Sequence, residues 1–165
     1  MTKYLKFIMR ELLHIEQSDE FPNFFNGIIL NLPDTNAINV IDFDLNINTY
    51  INLKVSYPFY FGFIPRTFID NFPLFFSFFS NKRFNIFNLL KLEPLHFFKI
   101  PKDVTINIIY SKLPGQNINI DKESIENILK DFFDTDSIIS LSKPSHVLEV
   151  TNREYNRKFH RIKKL

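Results

Sequence analysis

Tyr57-Pro58-Phe59-Tyr60-Phe61-Gly62-Phe63-Ile64-Pro65-Arg66-Thr67-Phe68 lies near the middle of a chain of 165 residues. Its apolar run, Tyr57 to Ile64, is broken by Pro58 and falls far short of the roughly 20 apolar residues that a bilayer-spanning helix needs. The most apolar stretch nearby, Phe72 to Phe79, is equally short and ends at Asn81, Lys82 and Arg83. At the amino terminus Lys3, Lys6, Arg10, Glu11 and Glu16 leave no clean apolar block, so no signal peptide is expected. The chain is expected to be soluble, with no membrane span, and Pro58 and Pro65 punctuate its middle.

Outward from this segment the pattern is mostly that of strands. Phe24 to Leu32 and Ala37 to Tyr57 are rich in β-branched and aromatic residues, with Pro, Asp and Asn between them. Ile47, Thr49, Ile51 and Leu53 alternate with Asn48, Tyr50, Asn52 and Lys54, which predicts a half-buried strand with the Ile-Leu set facing inward. Phe72 to Ser80 and Phe84 to Leu92 flank the turn Asn81-Lys82-Arg83 and predict a hairpin. Further strands are expected over Leu95 to Ile100, Val104 to Tyr110, Asn117 to Ile120, Ser137 to Leu141 and His146 to Val150. Helices are expected over Met1 to Ile15, where Tyr4, Leu5, Ile8, Met9, Leu12 and Leu13 form a stripe, and over Lys122 to Asp134. The second begins at Asp121, a good N-cap, with Glu123 in the first turn and Ile125, Ile128, Leu129 and Phe132 on one face. The class is α+β: antiparallel or mixed sheets with a few packed helices. Residues 1–165 are expected to form one domain, with two small lobes (1–71 and 72–151) and a basic tail (152–165) left open as a finer division.

The apolar content is unusual in kind. There are 21 Phe, 22 Ile and 18 Asn, against 3 Gly and a single Ala at position 37. Packing asks for no such bias, but a gene poor in G and C would produce it, and this points to an organelle, with the mitochondrial matrix as the expected location, or to a very AT-rich organism. Proteins encoded in mitochondria are nearly all respiratory membrane subunits or ribosomal proteins. No Cys is present, which excludes disulfides, thiolate metal sites and a thiol nucleophile.

Asn152 to Leu165 carries Arg153, Arg157, Lys158, Arg161, Lys163 and Lys164 against the single acid Glu154, a net of +5. With a net charge of +2 for the whole chain, the body is left at −3. Such an arm can neutralise RNA phosphates, and Arg153, Arg157, Lys158, Arg161, Lys163 and Lys164, together with Lys143, are the candidate RNA-binding residues. Tyr155, Phe159 and Ile162 recur at helical spacing and would dock one face on the body. A solvated helix end that favours solubility is the competing reading.

Catalytic motifs are scarce. Gly27, Gly62 and Gly115 cannot make a phosphate loop, and no zinc helix or nucleophile elbow is present. His14, His96, His146 and His160 are scattered, and His96, between Leu95 and Phe97, reads as a satisfied core residue rather than a ligand. Asp131, Asp134 and Asp136 crowd a helix C-terminus, where stacked negative charge is unfavourable, and read as solvated surface acids. No catalytic residue, metal ligand or cofactor site is expected.

Two families are resembled. Phe87 to Leu165 resembles the carboxy-terminal half of large-subunit ribosomal protein six. The shared features are Leu89-Leu90-Lys91-Leu92, Leu95-His96-Phe97, Ile100-Pro101-Lys102-Asp103-Val104, Asn119-Ile120-Asp121-Lys122 with its helix, and the basic tail. That family's Lys-Gly-Lys-Gly segment is missing, and only Lys143-Pro144 stands near its place. The resemblance implies a non-enzymatic structural constituent of a mitochondrial ribosome, with ribosomal RNA and other ribosomal proteins as partners and no small-molecule substrate. A soluble accessory subunit of a respiratory complex is the alternative from composition.

The segment Tyr57 to Phe68 itself resembles the Tyr-Pro-x-x-Tyr-Gly-Phe-Ile-Pro-x-Thr run of soluble inorganic pyrophosphatases. That family continues with Gly-Asp-Pro-x-Asp, whose carboxylates hold Mg²⁺. Here Asn71-Phe72-Pro73-Leu74-Phe75 follows, with Phe at both aspartate positions. This second resemblance implies a pyrophosphatase-like protein that has lost its activity.

Overall fold

Asp70 and Asn71 both take left-handed backbone, with φ of 50° and 72°. Two such residues in succession make the type I′ turn that suits a tight antiparallel hairpin. The computed structural model describes residues 2–117, 120–141 and 143–159. In chain order its elements are α1 (Lys3–Leu13), β1 (Phe25–Asn31), β2 (Ala37–Ile41), β3 (Ile47–Ile51), β4 (Tyr60–Ile69), β5 (Phe72–Phe78), β6 (Leu89–Ile100), β7 (Ile106–Lys112), α2 (Lys122–Phe133), β8 (Ile139–Leu141) and α3 (Pro144–Phe159). The turn therefore joins β4 to β5, with Ile69 opposite Phe72.

The main sheet runs β1-β4-β5-β7-β6, and β6 pairs back onto β1 through Phe25↔Leu92 and Gly27↔Leu90, which closes a five-stranded barrel. β5 and β7 are parallel, the other ladders are antiparallel, and β8 extends β6. The class is α+β. β4 bends at Pro65 to Thr67, where the register with β5 shifts. The Thr67 hydroxyl holds the bend: it donates to Ile64 O at 2.7 Å and accepts from Leu74 N at 2.8 Å. A bulge absorbs Pro65 because a proline has no N–H to give a ladder.

Alternation along the strands separates two apolar clusters. Ile28, Phe61, Phe63, Phe75, Phe98, Ile108 and Tyr110 pack with Met9 and Leu13 of α1 and with Ile125, Leu129, Phe132 and Phe133 of α2. Two helices, α1 and α2, lie across this set, which makes it the outer face. The inner face carries Phe25, Ile29, Tyr60, Ile64, Leu74, Phe76, Phe78, Leu92, Phe97 and Ile109, with Leu148 of α3 against them. Gly27 and Gly62 make room for the Phe76 ring, whose Cε1 would lie 2.5 Å and 2.8 Å from a Cβ at those positions.

Both helices read from sequence are present where their local signals place them. Thr2 caps α1 by accepting from Leu5 N, and Asp121 caps α2 by accepting from Ser124 N at 2.7 Å. Several strand expectations are corrected. Phe72–Ser80 and Phe84–Leu92 do not pair: β5 gives one edge to β4 through the two-residue turn and the other to β7. Leu89 to Ile100 is one strand, because Pro94 sits at a register shift instead of ending it. His146–Val150 lies inside α3, with Leu148, Thr151 and Tyr155 buried on one side. Asn117 and Ile120 are not in a strand, and Ile118 and Asn119 lie outside the described residues.

The alternating segment at β3 does form a strand, but its faces are reversed. Tyr50 packs edge-on against Phe133 at 5.9 Å, and the Asn52 amide donates to Asp131 O and Phe132 O at the end of α2. Ile47, Ile51 and Leu53 face out. Polar capping of a helix end with a ring contact beside it outweighs the burial of the aliphatic set.

Candidate functional site

The segment Tyr57 to Phe68 supplies the loop before β4 and most of β4 itself, and its Tyr57, Phe59, Phe61 and Phe63 belong to the outer apolar face. That face is filled by rings. Phe61 stacks on Phe75 with centroids 5.3 Å apart, and Tyr57 meets Phe59 at 5.6 Å, Phe61 at 6.1 Å and Phe132 at 5.1 Å. Phe75 is buried and Phe72 half-buried. A Phe also stands at position 61, where the resembled run has its second Tyr.

Few polar groups interrupt the rings. The Tyr57 hydroxyl and Ser77 Oγ lie 2.5 Å apart, and Ser111 Oγ donates to Ser77 O at 3.1 Å. The Tyr110 hydroxyl is buried with no hydrogen-bond partner among the described residues. Burial pushes the Tyr57 phenol well above its ordinary value, against the lowering effect of Ser77, and pushes Tyr110 up to about 12. For groups raised in the folded state, stability is complete below the unfolded pKa near 10 and is lost as pH climbs through the folded one. Alkaline unfolding is therefore expected between about pH 10 and 12. Tyr110→Phe should push that transition to higher pH at no cost near neutrality, whereas Tyr57→Phe should cost about 1 kcal/mol by leaving Ser77 Oγ without its partner. Circular dichroism against pH, with urea melts at neutral pH, checks both; earlier alkaline unfolding of the Tyr110 variant contradicts this account.

Beside the ring-filled face, β3 and the end of α2 bound a cleft of about 630 Å³ lined by Tyr50, Asn52, Lys54, Lys102, Asp131 and Asp134 among others. Lys102 Nζ donates to Phe133 O at 2.7 Å, placing its charge at the negative end of α2. Burial, and next the Asp103 carboxylate, raise the Tyr50 phenol. Asp42 and Asp44 serve the turns: Asp42 Oδ1 accepts from Asp44 N and Asn46 N, each at 2.9 Å, and Asp44 Oδ2 accepts from Asn71 Nδ2 at 2.8 Å. Among the described residues no group of three or more His, Asp or Glu converges as a metal site. No helix of the described residues is long and apolar enough to cross a membrane.

Four of the seven residues singled out for RNA fall among the described residues. Lys143 is exposed before α3, and Arg153, Arg157 and Lys158 are exposed on it, with Arg157 paired to Glu154. Arg161, Lys163 and Lys164 lie outside the described residues. Tyr155 is buried and Phe159 half-buried, so this helix docks one face as its spacing predicts. His14 approaches Tyr155 with Nδ1 2.5 Å from the hydroxyl. His96 is half-buried in β6, its pKa lowered by burial and then by Lys122, and Asp131, Asp134 and Asp136 are exposed.

No protein-family model matches the sequence, and neither does any curated protein. Solved structures do match in shape. The inorganic pyrophosphatase of Thermus thermophilus is 13% identical, over 88% of this chain and 98% of that one, with a TM-score of 0.65. That of Helicobacter pylori is 15% identical over 86% and 98%, also at 0.65. That of Neisseria gonorrhoeae is 14% identical over 86% and 96%, at 0.64. At these identities the likeness establishes the fold.

The fold overturns the ribosomal reading. The strand and helix order that resembled large-subunit protein six belongs to a closed barrel shared with pyrophosphatases, and the hairpin on which that resemblance leaned does not exist. The roles drawn from it fall too: ribosomal constituent, RNA-binding protein, partner of ribosomal proteins. The expectation of a non-enzymatic protein without a small-molecule substrate is likewise corrected, because these neighbours are named as enzymes of pyrophosphate.

Proposed function

We propose that this chain is a pyrophosphatase-like protein whose ligand is a small phosphate-bearing molecule, handled by residues 1–165 as a single unit. The observation that carries the reading is the position of Tyr57 to Phe68: the segment that resembles the pyrophosphatase run forms β4 and its preceding loop, within a barrel of pyrophosphatase architecture.

The residues present limit the chemistry. Magnesium is a hard cation that binds oxygen, and the phenyl rings of Phe72 and Phe75 offer none, so those two positions do not fit a Mg²⁺ ion. No step of hydrolysis is routed through them. The adjoining cleft offers a different set of groups: Lys54, Lys102, Asn52, Asp131 and Asp134 all line it, with Lys102 and Asn52 bonded to carbonyls at the end of α2. An anion there would meet the two lysines, and a positive charge carried with it would meet the acids.

Calorimetric titration with pyrophosphate, with and without magnesium, tests the proposal, with phosphate release followed in the same samples. Saturable binding that weakens on Lys102→Met is expected. Neither heat nor phosphate release up to millimolar pyrophosphate would overturn it. Magnesium-dependent release would place the metal on carboxylates other than positions 72 and 75.

A further inference from the structure

The hairpin of β2 and β3 stands apart from the barrel sheet as a two-stranded ladder. Asn52 N donates to Asn36 O at 2.9 Å, continuing that ladder. By alternation, the N–H and C=O of Asn48 and Tyr50 also point to β2, and those of Ile47, Thr49 and Ile51 point away from it. Among the described residues no strand pairs with them. The far edge of β2 is closed differently: Asn31 Oδ1 accepts from Asn39 N at 3.0 Å, and Asn31 Nδ2 donates to Ala37 O at 3.4 Å. The hairpin thus has one free edge, on β3.

Free edges are normally guarded by charge, proline or a bulge. From Leu45 to Leu53 there is no Lys, Arg, Asp, Glu or Pro. The same edge exposes Ile47 (46%), Ile51 (66%) and Leu53 (87%), which the strand's reversed facing turns outward. The flanking charges are Asp44 on one side and Lys54 on the other, both exposed and each five positions from Thr49.

We propose that β3 is a self-association strand, pairing antiparallel with β3 of a second copy about a two-fold axis at Thr49. In that register the unpaired backbone groups of Ile47, Thr49 and Ile51 meet their counterparts, and Ile47 of each copy lies opposite Ile51 of the other. A second copy presents the same three unpaired residues in reverse order about Thr49, so the edge is complementary to itself. Both free edges are used up, so assembly stops at the dimer instead of growing into a fibre. A strand pair alone buries less than the roughly 800 Å² per partner of a standard interface, so the dimer is concentration-dependent.

Sedimentation velocity over a concentration series tests this on the full chain, with circular dichroism to confirm folding. The wild type should shift from monomer to dimer. Ile47→Lys with Ile51→Lys sets like charges opposite each other and should weaken association by about tenfold or more. Ile47→Glu with Ile51→Lys sets opposite charges together and should retain the dimer, now sensitive to salt. A wild type that stays monomeric at all concentrations overturns the proposal, as do two charge variants that dimerise equally well or equally poorly.

Discussion

Gly62→Ala lowers the stability of this chain by about 3 kcal/mol or more, a large share of the 5–15 kcal/mol typical of a domain. A Cβ on residue 62 would lie 1.9 Å from Ile28 O and 2.8 Å from Phe76 Cε1. The first contact is with backbone, so a side-chain rotation cannot relieve it. β1 must retreat from β4, and the β1–β4 and β1–β6 ladders that close the barrel are strained together. Moving Phe76 instead would disturb its contacts with Phe25 and Phe78 in the barrel interior. Urea unfolding followed by circular dichroism reads the effect, and a midpoint within error of wild type would mean that β1 and β4 are not so closely apposed.

The second large effect is expected from Phe75→Asp, which places a carboxylate at a position where the pyrophosphatase motif has one. Phe75 is 1% exposed and stacked on Phe61. Removing a buried Phe side chain costs about 3–5 kcal/mol before the new charge is counted. Burial at this position disfavours a charged carboxylate, so its folded-state pKa rises above the unfolded value near 3.9. The sign follows: the variant is least destabilised below that unfolded pKa and loses further stability as pH rises through the folded pKa. It should be unfolded at pH 7 and partly rescued near pH 4. Thermal melts at the two pH values decide the matter, and a variant that is native at pH 7 would show that this face is wet and open to ions. A single acid therefore does not return the site to metal chemistry, because the Phe61 ring stacked on position 75 is itself packed on Tyr57.

The Tyr57–Phe68 part of the candidate site was legible in the chain itself, whereas the cleft lined by Tyr50, Asn52, Lys54, Lys102, Asp131 and Asp134 draws on three distant segments and was not. Tyr57 to Phe68 and the two Phe after Asn71 are contiguous, so their likeness to a pyrophosphatase run, and its interruption, can be read without coordinates. The same holds for α2, whose cap at Asp121 and apolar face at Ile125, Leu129 and Phe132 are all within one helix's length. The misreadings came from longer distances. A turn with Lys and Arg between two Phe-rich runs looked like a hairpin, but β5 found β4 through Asp70-Asn71 and β7 through a parallel pairing that no local pattern announces.

The sequence by itself determined two of the helices, α1 and α2, the strand character of most β-branched and aromatic runs, and the absence of thiol chemistry, but not α3, where His146–Val150 reads as a strand. Only the tertiary structure decided which strands are neighbours, that β6 returns to β1 to close the barrel, and that Phe75 is buried against the Phe61 ring. It also decided that Tyr50, not Ile47 or Ile51, faces the body. The physical reason is that capping and periodicity act over a few residues, whereas strand order and the choice of buried face depend on partners distant in the chain. For β3 those partners are Phe133 and the carbonyls of Asp131 and Phe132, some 80 positions away.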